Sequence, residues 1–200
     1  IKVSWNYGLA NYGFLGSRIA SKYGKFPFIQ LLKTPQFFYK PRYYKPFDVF
    51  CRISTSYSRE TVKIHRQLVL EQLKDYQKIG HVNPLKYYLE IIQSKIVISP
   101  FGWGEFSIRD FEAFINGNIL IKPNMDHLET YPNFYLPYET YIPFKWDLSD
   151  LAETVDEAVS NYQDRLSIAE NGQNYYRNQL TSLESKQDFC KRLRNILDKN

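Results

Sequence analysis

Cysteine is nearly absent from this 200-residue chain. Cys51 and Cys190 are too few and too far apart for a disulfide framework, so two reduced thiols in an intracellular compartment are expected. No run of about 18 apolar residues occurs, so no spanning helix is expected. A charged fraction of 24 % and an apolar fraction of 44 % suit a soluble globular chain. The start, Ile1-Lys-Val-Ser-Trp5, lacks a basic-then-apolar secretion signal and an initiator Met, from which a fragment or excised domain is expected. His65, His81 and His127 are not spaced with one another or with Cys as a metal site requires, and no Asp-x-Asp pair is present to hold a diphosphate through a metal. No RNP, zinc-finger or helix-turn-helix signature occurs, so no nucleic-acid partner is expected.

Acid is missing altogether from residues 1–47, which carry eight Lys or Arg and thirteen aromatic residues for a net charge of +8. Residues 48–200 carry 18 basic and 21 acidic residues, so the basicity is local. Such a segment can hold nucleic acid, a membrane surface, or an anionic or sugar ligand. It is too small to fold alone and is expected to pack on 48–200, covering the ligand edge of the sheet and serving the acceptor side. Within it, Phe14–Tyr23 reads as a short helix, Phe26–Leu32 as a strand, and the proline-rich 34–46 as an extended loop.

What is present centres on KIVISPFGWGEFSIRDFEAFINGNILIKP, Lys95 to Pro123. Two short apolar runs, 95–99 and 119–121, flank a turn with Pro100, Gly102 and Gly104, then a helix of about three turns stopped by Gly117. Two buried-type strands joined by a helix predict a parallel pair, hence an α/β fold with its ligand at the carboxyl ends of the strands. Upstream, 48–53 reads as a strand, Ser54–Ser58 as a hydroxyl-rich turn, Arg59–Lys78 as a helix with Val62, Val69, Leu73 and Tyr76 on one face, and Pro84–Gln93 as a short helix. A strand, hydroxyls and a helix start make a plausible anion site. Downstream, 124–133 is a polar loop on the same edge, and Tyr135–Phe144 is extended with an edge strand, because Pro137 and Pro143 exclude a central one. A helical tail follows, capped by Asp147 or Ser149 and continuing to about Leu197.

The segments SPFGWGEFSIRDFEAFINGNILIKP, ETYIPFKWDLSDL and RLSIAENGQNYYRNQL resemble the C-terminal, donor-binding half of GT-B glycosyltransferases of surface-polysaccharide assembly, over about Asp48 to Leu180. The resemblance implies a single Rossmann-like parallel sheet with flanking helices in 48–200. It also implies transfer of a hexose or deoxyhexose, rhamnose being one candidate, from a nucleotide-diphosphate sugar such as a UDP-sugar to a glycan acceptor. Glu112 occupies the place of the glutamate that holds the ribose hydroxyls, and Arg52 that of the arginine on the diphosphate. The family's paired glutamates usually have seven residues between them, whereas Glu105 and Glu112 have six; Tyr57 stands where a lysine often follows, with Arg59 or Lys63 as substitutes. A two-domain enzyme of this kind needs roughly twice this length, so the acceptor domain is either absent from the chain or reduced to 1–47.

The expected donor contacts are Arg52, Ser99, Gly102, Trp103, Gly104, Glu105, Arg109, Asp110 and Glu112, since carboxylates accept from a diol and Arg neutralises phosphates. The acids and Arg109 can instead form a solvated helix face with local ion pairs, and Trp103 can stack on a base or sugar or anchor the loop. Asp126 or His127 is placed to act as base towards an acceptor hydroxyl, or Asp126 merely caps a turn. No metal cofactor, at most peripheral membrane contact and a cytoplasmic location are expected. A non-catalytic nucleotide- or glycan-binding module, or a basic adaptor for a polyanion or membrane, is the alternative.

Overall fold

A computed structural model describes residues 38–76 and 82–198, together with the backbone of Ser4–Trp5. In chain order the elements are β1 (Ser4–Trp5), β2 (Phe47–Phe50), α1 (Glu60–Gln72), α2 (Pro84–Ile92), β3 (Ser94–Ile98), α3 (Ile108–Ile115), β4 (Ile119–Pro123), β5 (Thr130–Tyr131), β6 (Ile142–Phe144), α4 (Leu151–Ser160), α5 (Leu166–Thr181) and α6 (Leu183–Leu197). The expected elements at 14–23 and 26–32, and His81, lie outside the described residues.

Strands β2, β3, β4 and β6 form one sheet in that order, and every neighbouring pair is parallel. The registers Val49↔Ile96, Ile96↔Ile119 and Ile121↔Ile142 line branched side chains across it. Both faces are covered, which is why the strands read as unbroken apolar runs rather than alternating ones. Val49, Ile96, Ile98, Ile119 and Ile121 face Val69 and Leu73 near α1 and Leu151, Val155 and Ala158 of α4. Phe50, Val97 and Leu120 face Ile91 of α2, Phe111 and Phe114 of α3, and Tyr176 of α5. This is the expected α/β layout with a helical tail. Pro143 sits in β6 at the sheet edge, where a missing N–H costs no ladder bond.

Local chemistry sets the helix ends. Asn83 accepts from Lys86 N, with Pro84 as the first residue of α2. Ser107 and Asp110 close a reciprocal capping box on α3. That helix is eight residues long, shorter than expected, because 100–107 is loop. The N-cap of α4 is Asp150 rather than Asp147 or Ser149; the Asp147 carboxylate accepts from Ser149 N instead. Gly117 ends α3 at φ 59°, and a Cβ there would lie 2.5 Å from Tyr39 O.

Because the four strands are parallel, their carboxyl ends meet at one edge, which carries the loops after Phe50, Ile98, Pro123 and Phe144. The described part of the basic segment, 38–46, lies at the other edge. Lys45 Nζ donates to the carbonyls of Asn116 and Gly117, and Gln173 Nε2 to that of Tyr39. Only the backbone of β1 is described nearer the carboxyl edge, pairing in parallel with β5 beyond the end of β4.

Candidate functional site

Arg52, Arg109 and Glu112 come together under the end of β2. Arg52 forms a two-pronged pair with Glu90 of α2, and its carbonyl accepts from Arg109 Nη2 at 2.6 Å. Glu112 accepts from the Tyr87 hydroxyl at 2.7 Å. Burial pushes the Glu112 carboxyl up, opposed by the Tyr87 hydrogen bond and the Arg109 charge. Nε and Nη1 of Arg109 are buried and have no hydrogen-bond partner in the protein. A buried donor left unpaired costs about 1–3 kcal/mol, and the Tyr87 hydroxyl and the Glu112 carboxylate beside the guanidinium offset part of that cost.

Asp110 and Ser99 lie deeper than the sequence places them. Both are fully buried. Asp110 accepts from the Ser99 hydroxyl, from the Tyr135 hydroxyl at 2.7 Å and from Ser107 N at 3.1 Å, and pairs with Lys122 Nζ at 3.2 Å. Its oxygens are thus engaged internally and fix the loop over β3, where the sequence reading makes them ligand contacts. Lys122 also donates to the main-chain oxygen of Glu105 and lies under the rings of Phe101 and Tyr135, at 4.9 and 5.7 Å. Its burial lowers the ammonium pKa, opposed by Asp110. Sequence reasoning passed over this lysine inside the apolar run Ile119–Pro123, although an acid on a buried helix face calls for a cation opposite it.

The loop 100–105 is held by Arg66, another residue the sequence left unassigned. This α1 side chain is 4 % exposed and donates to the carbonyls of Phe101 at 2.7 Å, Ser54 at 3.0 Å and Pro100 at 3.3 Å, with Tyr57 stacked on it at 4.6 Å. It falls on the Val62, Val69, Leu73 stripe, and a charged residue on an apolar stripe was the available signal. Trp103 is 64 % exposed, with the Arg59 guanidinium 5.5 Å from its ring and the Tyr57 ring at 6.0 Å. A Cβ on Gly102 would touch Tyr57 Oη at 3.4 Å, whereas Gly104 faces open space. Arg59 is the N-cap residue of α1 and makes no side-chain capping bond.

Asp126 and His127, both exposed, occupy the loop after β4. Asp126 is tied to Asn124 through its amide and its carboxylate. The His127 ring meets Trp146 at 4.6 Å; Phe101 meets Trp146 at 4.7 Å, and His65 of α1 stacks on Phe101 at 6.4 Å. Burial lowers the His65 pKa, opposed by its hydrogen bond to the Trp146 backbone and reinforced by Arg66. The unfolded chain therefore holds this proton more tightly than the folded one. The corresponding stability is present above the ordinary histidine pKa and is lost as pH falls below it through the lowered folded-state pKa. The urea midpoint is expected to fall between about pH 7.5 and about pH 5.5, and to fall less in His65→Gln. Equal declines in the two proteins would contradict this.

Among the described residues no three His, Cys, Asp or Glu side chains gather as a metal site would, and no helix is long and apolar enough to cross a membrane. No family model matches the sequence, and no curated protein does. The fold is similar to that of HepE of Anabaena, solved in complex with UDP-glucose, at a TM-score of 0.47 and 14 % identity over 74 % of this chain. It is also similar to the C-terminal domain of LpcC, a glycosyl transferase group 1 family protein from Francisella tularensis, at 0.43 and 15 % over 72 % of this chain and 89 % of that one. The match spans 41 % of the HepE chain. Neither likeness assigns this chain a ligand or an activity.

Proposed function

We propose that the chain binds a nucleotide-diphosphate sugar at the carboxyl edge of its sheet and forms the donor half of a metal-independent glycosyltransferase acting on a glycan acceptor in the cytoplasm. The observation that carries this reading is the buried Arg109 guanidinium, whose Nε and Nη1 make no well-aligned hydrogen bond and which lies beside Tyr87, Glu112 and Arg52. A diphosphate supplies better-aligned acceptors for those donors, and Glu112 offers a carboxylate to the ribose diol. Arg59, exposed over Trp103, adds a cation to the same edge.

In the transfer, the bond between the anomeric carbon and the diphosphate oxygen breaks and one to the acceptor oxygen forms. The acceptor proton passes to Asp126 or His127, the diphosphate carries away the electron pair, and the arginines stabilise its charge. A hexose or deoxyhexose is the transferred group. Within residues 1–47 it is the part that includes β1 that serves the acceptor side, a role supported by the pairing of β1 with β5, three residues past His127, whereas 38–46 lies at the other edge.

Arg109→Gln is expected to weaken nucleoside-diphosphate binding at least about tenfold, near 1.4 kcal/mol, while leaving nucleoside binding unchanged by calorimetry. Equal losses for both ligands, or none, would remove Arg109 from the site.

A further inference from the structure

Trp146 and Phe101, which meet at this edge beside His127, have no role in the reading above. Trp146 is 49 % exposed yet firmly placed: Nε1 donates to Asn124 O at 2.9 Å, and Phe101 and His127 meet the ring at 4.7 and 4.6 Å with interplanar angles of 65° and 85°. The turn beneath it is braced. Leu148 is buried and adopts φ 64°, a conformation disfavoured for a bulky side chain. Lys145 N donates to Asp150 Oδ1, Leu148 N to Lys145 O, and Ser149 N to Asp147 Oδ1. The three rings come from the loops after β3, β4 and β6, and His65 of α1 backs them. A large aromatic held half in solvent by a strained turn is a preorganised contact surface, since little entropy is lost when a ligand settles on it.

We infer that Trp146, supported by Phe101 and His127, is the stacking platform for a pyranose ring, and that this ring is the sugar of the donor. The second part rests on the donor-site reading. The rim offers a sugar hydroxyl acceptors beside an apolar face. Asp126 and Asp147, both exposed, stand beside His127 and Trp146 in the chain and offer acceptors to hydroxyls, and Lys145 next to Trp146 adds a donor. The cations Arg52, Arg59 and Arg109 stand at the end of β2 and beside Trp103, while Lys122 and Arg66, next to Phe101, are engaged with Asp110 and with main-chain carbonyls. A nucleotide-diphosphate sugar is polarised in the same way, anionic in the middle and neutral and hydroxylated at one end. The C–H face of a pyranose is apolar and complements the negative face of an indole.

The test follows the indole Nε1–H resonance of Trp146, assigned from its loss in Trp146→Phe, as the full chain is titrated with methyl hexopyranosides, a nucleoside diphosphate and the matching nucleotide-sugar. Shifts with the glycosides and the nucleotide-sugar, and none with the nucleoside diphosphate, are expected. Trp146→Ala should weaken nucleotide-sugar binding at least about tenfold while leaving the nucleoside diphosphate unchanged, and Trp146→Phe should recover part of the loss. Binding of the nucleotide-sugar without movement of this resonance would overturn the platform and leave the donor site standing. Movement with glycosides in a protein that binds no nucleotide would overturn the donor assignment alone. An equal shift with the nucleoside diphosphate would mean that the indole stacks on the base, and would overturn the sugar assignment.

Discussion

Asp110→Ala is expected to cost about 3–5 kcal/mol of folding stability, the range seen when one partner of a buried ion pair is removed and the other charge is stranded. Lys122 would keep only the Glu105 carbonyl as a hydrogen-bond acceptor in an interior where its side chain is 0 % exposed. Ser99 and Tyr135 would lose their acceptor, and the capping box at α3 would open. The double variant Asp110→Ala/Lys122→Met should recover much of the loss, because an apolar chain of similar volume carries no charge to strand. Urea unfolding checks both. A single variant within about 1 kcal/mol of wild type would show that the pair does not organise the loop.

Gly172→Ala should destabilise the protein by about 1–3 kcal/mol, against the direction set by helix propensity. Replacing a mid-helix glycine by alanine normally stabilises by up to about 1 kcal/mol. Here the new methyl would lie 2.8 Å from both Phe114 Cε1 and the Thr140 carbonyl oxygen. The carbonyl has little freedom to retreat, because Thr140 N donates to Leu136 O and Oγ1 donates to Phe134 O at 2.6 Å. Phe114 is itself wedged against Phe134 and Tyr176. A raised melting temperature in Gly172→Ala would show that α5 stands further from α3 than this geometry allows.

Much of the fold was legible because its signals are local. The apolar runs at 95–99 and 119–121 could hardly be anything but buried strands, and the helix between them made them parallel. Pro84 and Gly117 marked helix ends through chemistry confined to one turn, and the Asn83 cap was added by the structure. Pro143 correctly placed β6 at the sheet edge. Arg52 and Glu112 are named through the resemblance, and Arg109 from its place on the same helix as Glu112. What could not be read were partners distant in sequence: Arg52 finds Glu90 38 positions away, and Arg66 ties loops 12 and 35 positions away. Nor does a linear text separate Asp110 from Glu112. Two acids two apart on a helix point in different directions, and only the fold shows that Asp110 faces the sheet while Glu112 faces Tyr87. Trp146 escaped notice because its exposure depends on a strained turn at Leu148.

The claim that the carboxyl edge is a donor site is tested most directly by calorimetric titration of the full chain with nucleosides, nucleoside diphosphates and nucleotide-diphosphate sugars at moderate salt. The account predicts one saturable site, weak for the nucleoside, tighter once the diphosphate is present, and tighter again with the sugar attached, in line with the Arg109 cluster and the Trp146 platform. Absence of saturable binding by any diphosphate, or binding that only tracks total anionic charge and disappears with salt, would contradict it.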